Sequence, residues 1–499
     1  MKVLLDTNIV IHRETSKVMK SDIGVLFKWL DKLGYTKCVH PMTIDEIKRY
    51  KHKQTVTSMM IKLDSYHILK TEAPMTTIVR KISEKYDKNS NDINDSRLLN
   101  ELAAERVDIL ITEDRKISYK AALLNISNKV FTIDSFLEKV TSEHPDLVDY
   151  KVLSVTKEYI GNININDPFF DSLKEDYPGF EKWFNKKADE IAYICKMDDN
   201  IGAFLYLKIE DENENYSNIS PPFSKKKRLK IGTFKVTLNG YKLGERFLKI
   251  IFDNALRFRV DEIYVTIFDK RIEQIRLINL LTDFGFVKYG TKDCNELVYV
   301  RDFQPAFEKM NPKYTFPYVS ANNEIFITPI YPEYHTNLFP DSILRTESPA
   351  DYVENEPFRN AISKVFISRS FERNLNKGDI IVFYRTGGYY KSVVTTLGIV
   401  ESVVTDIKDS QHFIDLCKKR SVFSDKELLE IWNKSKNKPF IVNFLYAYSF
   451  PKRINMKRLI ELGVIQSVHS APRGFLRITH QNFKDIIREA QVDERIIIN

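Results

Sequence analysis

Over the first 140 positions, short apolar runs alternate with stretches of helical apolar spacing. Val3-Leu4-Leu5 reads as a buried strand. Leu26 to Leu33 carries apolar residues at helical intervals. Lys37-Cys38-Val39-His40 reads as a second strand, stopped by Pro41. Thr43 is expected to cap the next helix, with Glu46 three residues on as in a capping box. Asp108 to Thr112 and Val130 to Ile133 read as two more strands. Strand–helix alternation of this kind argues a parallel sheet wrapped by helices.

From 150 to 302 the rhythm changes. Ile191 to Lys196 and Ala203 to Ile209 read as a hairpin turning through Met197-Asp198-Asp199-Asn200. Leu229 to Thr237 is a long strand, Leu243 to Phe258 an amphipathic helix, Asp261 to Ile267 a strand and Ile272 to Asp283 a helix. Residues 303–345 hold six prolines and no long period, as expected of a linker or an extended entry. Beyond 360 strands dominate: 364–367, 380–384, 393–404 and 440–448, with short helices near 411–418 and 425–435. The fold class is therefore α/β multidomain, with expected divisions 1–145, 150–302, 303–345 and 346–499.

Length and composition act mainly by exclusion. A chain of 499 residues is too long for one core, and two to four domains are expected. A hydrophobic share of 43% with 29% charged residues excludes collagen, coiled coil and wholesale disorder. No apolar run approaches the roughly 18 residues of a membrane helix. Asp6 stands where a signal peptide needs its apolar stretch, so a cytoplasmic protein without membrane contact is expected. Cys38, Cys195, Cys294 and Cys417 form no CxxC pair, which argues against a zinc site or disulfide framework. The net charge is +8, and residues beyond 305 carry 27 basic against 22 acidic side chains. That share is compatible with a nucleic-acid partner.

Four acids of the first segment stand just after strands or at the start of a helix. Asp6 follows the first strand, Glu46 lies in the turn after the second, Asp95 is expected to open a helix from 95 to 106, and Asp114 comes just after 109–111. Carboxyl ends of parallel strands share one edge, so these acids would meet in one crevice. A carboxylate cluster is costly without a cation, and oxygen ligands select Mg²⁺ or Mn²⁺. Such an ion polarises a phosphodiester and activates water. Taken singly, each acid also reads as a helix cap. Leu4-Leu5-Asp6-Thr7-Asn8, Thr43-Ile44-Asp45-Glu46-Ile47, Asp92 to Leu99 and Ile111 to Lys116 resemble, in order, the four motifs of the PIN-domain nucleases over residues 1–140. The resemblance implies that Asp6, Glu46, Asp95 and Asp114 are catalytic and metal-binding, supported by Thr7, Asn8 and Thr112. It also implies RNA as substrate and an antitoxin-type protein among the partners. Asp92 competes for the third position; helix phase prefers Asp95, because Leu98, Leu99 and Leu102 then face inward.

Asn239-Gly240-Tyr241-Lys242-Leu243-Gly244 lies between a strand and a helix. Its glycines allow a tight turn whose N–H groups, with the helix N-terminus, suit a pyrophosphate. The order of elements over 150–302, ending in Phe284-Gly285-Phe286, resembles the GNAT acetyltransferases. The resemblance implies acetyl-CoA or CoA as cofactor at this turn. Two departures stand out: Asn239 and Lys242 replace the usual Gln or Arg and the fourth-position Gly, and Leu281 stands where that family often has a proton-donating Tyr. Tyr264 and Tyr289 are substitutes in principle. Lys225-Lys226-Lys227-Arg228 reads as a solvated loop.

In the last segment, Arg385, Tyr389, Tyr390, Arg473 and Phe475 combine Arg, aromatic and Gly neighbours, which suits base stacking with phosphate contact. Strands favour aromatics in any case. The Gly378-Asp379 turn feeding a strand, with Leu397-Gly398-Ile399-Val400, resembles the PUA-like barrels, including ASCH and EVE domains, over 325–495. It implies a β-barrel that binds RNA. His335 reads as a hydrogen-bonded structural histidine. Three functions compete: a metal-dependent endoribonuclease, an acetyltransferase acting on RNA, aminoacyl-tRNA or protein, and a regulatory binding protein without turnover. The intact acids put the ribonuclease first, in a toxin, defence or RNA-processing role. A homo-oligomer is compatible with each.

Overall fold

Short Leu, Ile and Val runs take up the strands in a computed structural model of the chain. The structure describes residues 1–15, 21–49, 56, 60, 63–143, 155–197, 200–238, 240, 242–293, 296–342, 357–387, 392–417, 420–434 and 438–498. Contacts divide the chain into one unit of Met1–Asp149 with Leu238–Gly240, and a second of Tyr150–Thr237 with Tyr241–Asn499. The protein is α/β, with parallel and mixed sheets.

The first unit holds β1 (Lys2–Leu5), β2 (Thr36–Val39), β3 (His67–Ile68), β4 (Ile109–Ile111) and β5 (Val130–Phe131), all parallel, in the order β3-β2-β1-β4-β5. The helix after β2 runs Pro41–Lys48, and its cap differs from expectation. His40 is the N-cap, its Nδ1 accepting from Met42 N at 3.2 Å. Pro41 is pre-set for the first helical position, which moves the start back and leaves Thr43 inside the helix. There Thr43 is buried, and its hydroxyl bonds that of Thr7 at 2.9 Å. The helix carrying Asp95 starts earlier than expected too, at Ser90 after the Asn89 cap. Asp95 therefore lies in its second turn. Leu98, Leu99 and Leu102 face inward as expected, packed with Leu4, Cys38 and Leu110.

Among the described residues the second unit contains two large sheets and one two-stranded sheet. The first has eight strands in the order β6-β7-β8-β10-β11-β13-β12-β9: β6 (Val155–Tyr159), β7 (Ile191–Met197), β8 (Asn200–Glu210), β9 (Ile219–Ser220), β10 (Arg228–Val236), β11 (Glu262–Ile267), β12 (Val287–Lys292) and β13 (Glu296–Asp302). Only β10 and β11 run parallel, joined by the helix Leu243–Phe258; parallel neighbours need such a crossover. The basic run before β10 is not the solvated loop its composition implies. Arg228 is 1% exposed; its Nε donates to Glu262 at 2.8 Å and its guanidinium lies over the Phe223 ring at 4.2 Å. Lys226 pairs with the same carboxylate, and Lys227 Nζ donates to the Phe258 carbonyl at 2.5 Å.

The second sheet has the order β16-β19-β18-β17-β15-β20, from β15 (Ile325–Ile330), β16 (Ser363–Ser368), β17 (Ile380–Arg385), β18 (Val393–Val404), β19 (Phe440–Asn455) and β20 (Leu476–Ile478). A short parallel pair, β14 (Val319–Ser320) with β21 (Ile497–Ile498), accompanies it. The proline-bearing stretch 303–345 is thus more than a spacer, since β15 lies between β17 and β20. Strand β19 runs on to Asn455, past the expected end at 448. Among the described residues no ladder joins β16 to β20, so the expected barrel is not closed by hydrogen bonds. The sheet curls instead: the rings of Phe366 in β16 and Phe475 beside β20 stand 5.7 Å apart over a core of Phe326, Phe383 and Phe444. Among the described residues no helix is long and apolar enough to cross a membrane. Cys38, Cys195 and Cys417 are free and buried; Cys294 lies outside the described residues.

Candidate functional site

Parallel strand order brings the four acids of the first unit to one edge. Asp6 follows β1 and is 7% exposed. Its Oδ2 accepts from Thr112 Oγ1 at 2.6 Å, and the backbone N–H of Asn8 also donates to it. Burial raises its pKa against those bonds, and the charges of Asp114 and Glu46 raise it further. Asp95 is pushed up to about 7, first by burial, then by Asp114, with Asp6 adding to it. Asn94 Nδ2 holds Glu46 Oε1 at 2.9 Å. Asp114 caps the helix Arg115–Leu123, its Oδ1 accepting from Lys116 N at 2.6 Å, so the capping reading and the cluster reading both apply to it.

Asp92 and Asp95 differ in their relation to the neighbouring lysines. Lys116 Nζ stands 2.7 Å from Asp92 Oδ1 and holds that carboxyl below its ordinary range. Lys120 Nζ reaches Asp87 at 2.6 Å and the Asp92 carbonyl at 2.6 Å. Among the described residues Asp95 has neither hydrogen-bond nor ion-pair partner for its carboxylate. The four acids thus share one negative potential. Among the described residues, however, no group of three or more His, Cys, Asp or Glu is arranged to hold a metal ion.

A different opening exists in the second unit. The ladder from β10 to β8 runs from Arg228 to Val236, and that from β11 to β13 runs from Glu262 to Ile267. Between β10 and β11, however, pairing stops at Ile231 and Val265. A bulge falls at this point, between Ile231 and Thr233. Gly232 is needed there, because a Cβ would stand 2.6 Å from the Tyr206 ring. The two strands therefore part on the side where β10 leads to the helix. Between Val236 and that helix, Gly240 (φ 90°) and Lys242 (φ 57°) both take the left-handed conformation. Lys242 thus keeps a glycine-like backbone without being glycine, at an energetic cost. Asn239 and Tyr241 lie outside the described residues. Leu243 is buried at the helix start, and a Cβ on Gly244 would press on Leu280 at 2.9 Å.

Neither substitute tyrosine is free beside this gap. Tyr264 OH donates to Glu210 at 2.7 Å, and Tyr289 OH to the Pro222 carbonyl at 2.8 Å. Leu281 is fully buried. On the parted half of β10 stands a group that the sequence reading missed. Lys235 Nζ donates to Ser172 Oγ at 2.8 Å and to the Phe169 carbonyl, and burial lowers its pKa to about 8. No spacing signal separates it from any other strand lysine.

The start of the helix Leu243–Phe258 is tied to the second sheet. Glu245 Oε2 accepts from Ile362 N at 2.8 Å and Ser363 N at 3.3 Å, and Glu245 pairs with Lys242 at 3.3 Å. Arg246 forks onto Asp341 with two bonds of 2.7 Å. Burial pushes the Asp341 carboxyl up, but Arg246 more than offsets this and holds it well below the carboxylate range.

The residues expected to bind RNA differ in exposure. Arg473 is exposed. Arg385 is buried at the end of β17, and Tyr389 and Tyr390 lie outside the described residues. Phe475 is 6% exposed and belongs to the core, which corrects its expected role as a stacking ring. His335 is buried, Nε2 against Thr395 Oγ1 at 2.7 Å, as a structural histidine should be.

No family model and no curated protein matches the chain. Solved structures are similar to parts of it. A mutant ASCH protein of Zymomonas mobilis is 11% identical over 34% of this chain and 97% of its own, with a TM-score of 0.25. The Bacillus subtilis N-acetyltransferase YlbP, solved with coenzyme A, is 17% identical over 30% of this chain and 97% of its own, TM-score 0.21. The N-acetylglutamate synthase of Neisseria gonorrhoeae, with coenzyme A and N-acetyl-glutamate, is 12% identical over 60% of this chain and 94% of its own, TM-score 0.17. None of these three is a PIN-domain nuclease.

Proposed function

We propose that the second unit binds a coenzyme A thioester in the gap between β10 and β11 and transfers its acyl group. The parting of these two strands is the observation that carries the reading. Past Ile231, β10 still pairs with β8 but among the described residues has no ladder partner on its β11 side, so its amides there suit an extended amide-bearing chain. Lys242 in its left-handed conformation and the helix N-terminus then suit a diphosphate. Bound there, the thioester supplies an activated acyl carbon. As an acceptor nucleophile bonds that carbon and the carbon–sulfur bond breaks, Lys235 Nζ, its pKa lowered to about 8 by burial, gives a proton to the leaving thiolate in place of the Tyr absent at 281. The second sheet, with the basic excess beyond 305, is assigned the role of binding RNA. Calorimetry with coenzyme A, and thiol release from acetyl-CoA, test the reading. No heat and no thermal shift at millimolar coenzyme A would reject it.

A second reading, phosphodiester hydrolysis by the first unit, is favoured by one observation: the raised carboxyl groups of Asp6 and Asp95 within one acidic edge. Oxygen donors there suit Mg²⁺ or Mn²⁺ in kind. The described residues do not form a ready set of three ligands, so no catalytic step is assigned to an ion. RNA cleavage with and without Mn²⁺ tests this reading. Cleavage by Asp6→Asn/Asp95→Asn at the wild-type rate would end it.

A further inference from the structure

One aromatic ring is left almost wholly in water. Phe371, in the loop between β16 and β17, is 91% exposed. An exposed phenylalanine forgoes roughly 1.5–3 kcal/mol of burial, so its position needs a reason. The loop around it is braced. Ser370 N donates to Ser368 Oγ at 3.1 Å, and Asn374 N to Glu372 Oε1 at 2.8 Å. Arg373 donates to the Lys438 carbonyl at 2.5 Å and covers the Phe440 ring at 4.9 Å. Leu375 is buried beneath. The ring is therefore presented on a built support.

Two exposed arginines belong to the chain segments that meet at this loop. Arg369 lies two residues before Phe371 and is exposed. Arg473 is brought alongside by a separate segment: Phe475 N donates to Ser370 Oγ at 3.0 Å, and a Cβ on Gly474 would stand 2.6 Å from that oxygen. Among the described residues neither Arg369 nor Arg473 has an ion-pair or hydrogen-bond partner for its side chain. The nearest acid in sequence, Glu372, already accepts from Asn374 N.

We propose that Arg369, Phe371 and Arg473 form a docking site for single-stranded nucleic acid, in which one unpaired base stacks on the Phe371 ring and the flanking phosphates meet the two guanidiniums. A single ring covers too little area for a stable protein interface, and one aromatic makes a poor membrane anchor. A base needs only one flat face, and planar guanidinium forks suit phosphate. This site rests on the reading of the second sheet as an RNA-binding module. It replaces Phe475, whose ring is spent in the core.

The test is fluorescence anisotropy of the full chain with short labelled single-stranded RNA and DNA across a salt series. Phe371→Ala should weaken binding about tenfold at every salt concentration, as for loss of one stacked base, while Phe371→Trp retains it. Arg369→Gln with Arg473→Gln should flatten the salt slope by about 1.4, the release expected for two phosphates on a single strand. Thermal unfolding of Phe371→Ala should match the parent, since the ring is left in water. The RNA and DNA arms show whether the 2′-hydroxyl matters. If the parent binds strands and Phe371→Ala binds equally well, the site is wrong and the RNA-binding reading survives. If the parent binds no strand, both fall. Loss of binding to anionic phosphatidylserine vesicles alone, with strand binding unchanged, would assign the ring to a membrane instead.

Discussion

Two charged regions of the molecule are built on opposite plans. At the acidic edge of the first unit, Asp95 has no partner among the described residues and Asp6 is held only by uncharged donors. At the start of the helix Leu243–Phe258, every charge is answered: Lys242 by Glu245, Glu245 by two backbone amides, Arg246 by Asp341. Folding alone has no use for the unanswered acids, which raise each other's free energy. The answered ones hold a helix against a sheet. Unpaired charge that persists in a folded protein points to a ligand, and paired charge points to architecture.

The comparison breaks first at Asp341. Asp341→Asn leaves Arg246 half-buried without its anion, and about 2–4 kcal/mol should be lost from the second unit, read by urea unfolding. A loss below about 0.5 kcal/mol would make this pair dispensable. At the acidic edge the sign reverses. The Asp95 carboxyl titrates near 7 when folded and near 4 when unfolded, so the native state keeps the proton longer. Ionisation therefore destabilises the fold: the penalty is absent below about pH 4, grows as pH rises, and is complete above about pH 7. Asp95→Asn should stabilise the protein by roughly 1–3 kcal/mol at about pH 8, after allowance for solvent screening, and should do nothing at about pH 3.5. Equal effects at both pH values would show that its charge is not the cause. Smaller again is Glu245→Gln. Removing a negative charge from the first helical turn should improve coenzyme A affinity a few-fold in calorimetry, because that charge opposes a diphosphate there. Weaker binding would mean that the carboxylate positions the turn. Smallest is Lys242→Gly, which relieves a left-handed non-glycine by about 1 kcal/mol and loses one ion pair. Its net shift in melting temperature should be slightly upward.

Much of the fold was legible because apolar spacing is a local signal. The helices 243–258 and 272–283 and the strand 393–404 stand at the residues expected of them. Caps were less legible. Thr43 has the chemistry of a cap but lost the position to His40, because Pro41 starts the helix one step earlier. The four acids were readable one by one, Asp6 and Asp114 as residues following strands and Glu46 and Asp95 as residues of helices. Their mutual repulsion follows from parallel order, which the alternation of elements already implied. Phe475 was misread because an aromatic beside Arg and Gly looks the same in sequence whether its ring faces a core or water.

Hydrophobic period and turn chemistry act within a few residues, so the order of amino acids alone settles which segments become strands and helices. It settles equally that Asp6 and Asp114 come just after strands of the first unit. Which charges find partners is a matter of how the chain closes on itself. Arg246 meets Asp341 across 95 positions, and Phe475 meets Ser370 across 105, bringing Arg473 beside the Phe371 loop through contacts that no local pattern encodes. The parting of β10 and β11 after Ile231 belongs to the same level, because a bulge acts on strand pairing and pairing exists only once both strands lie in one sheet.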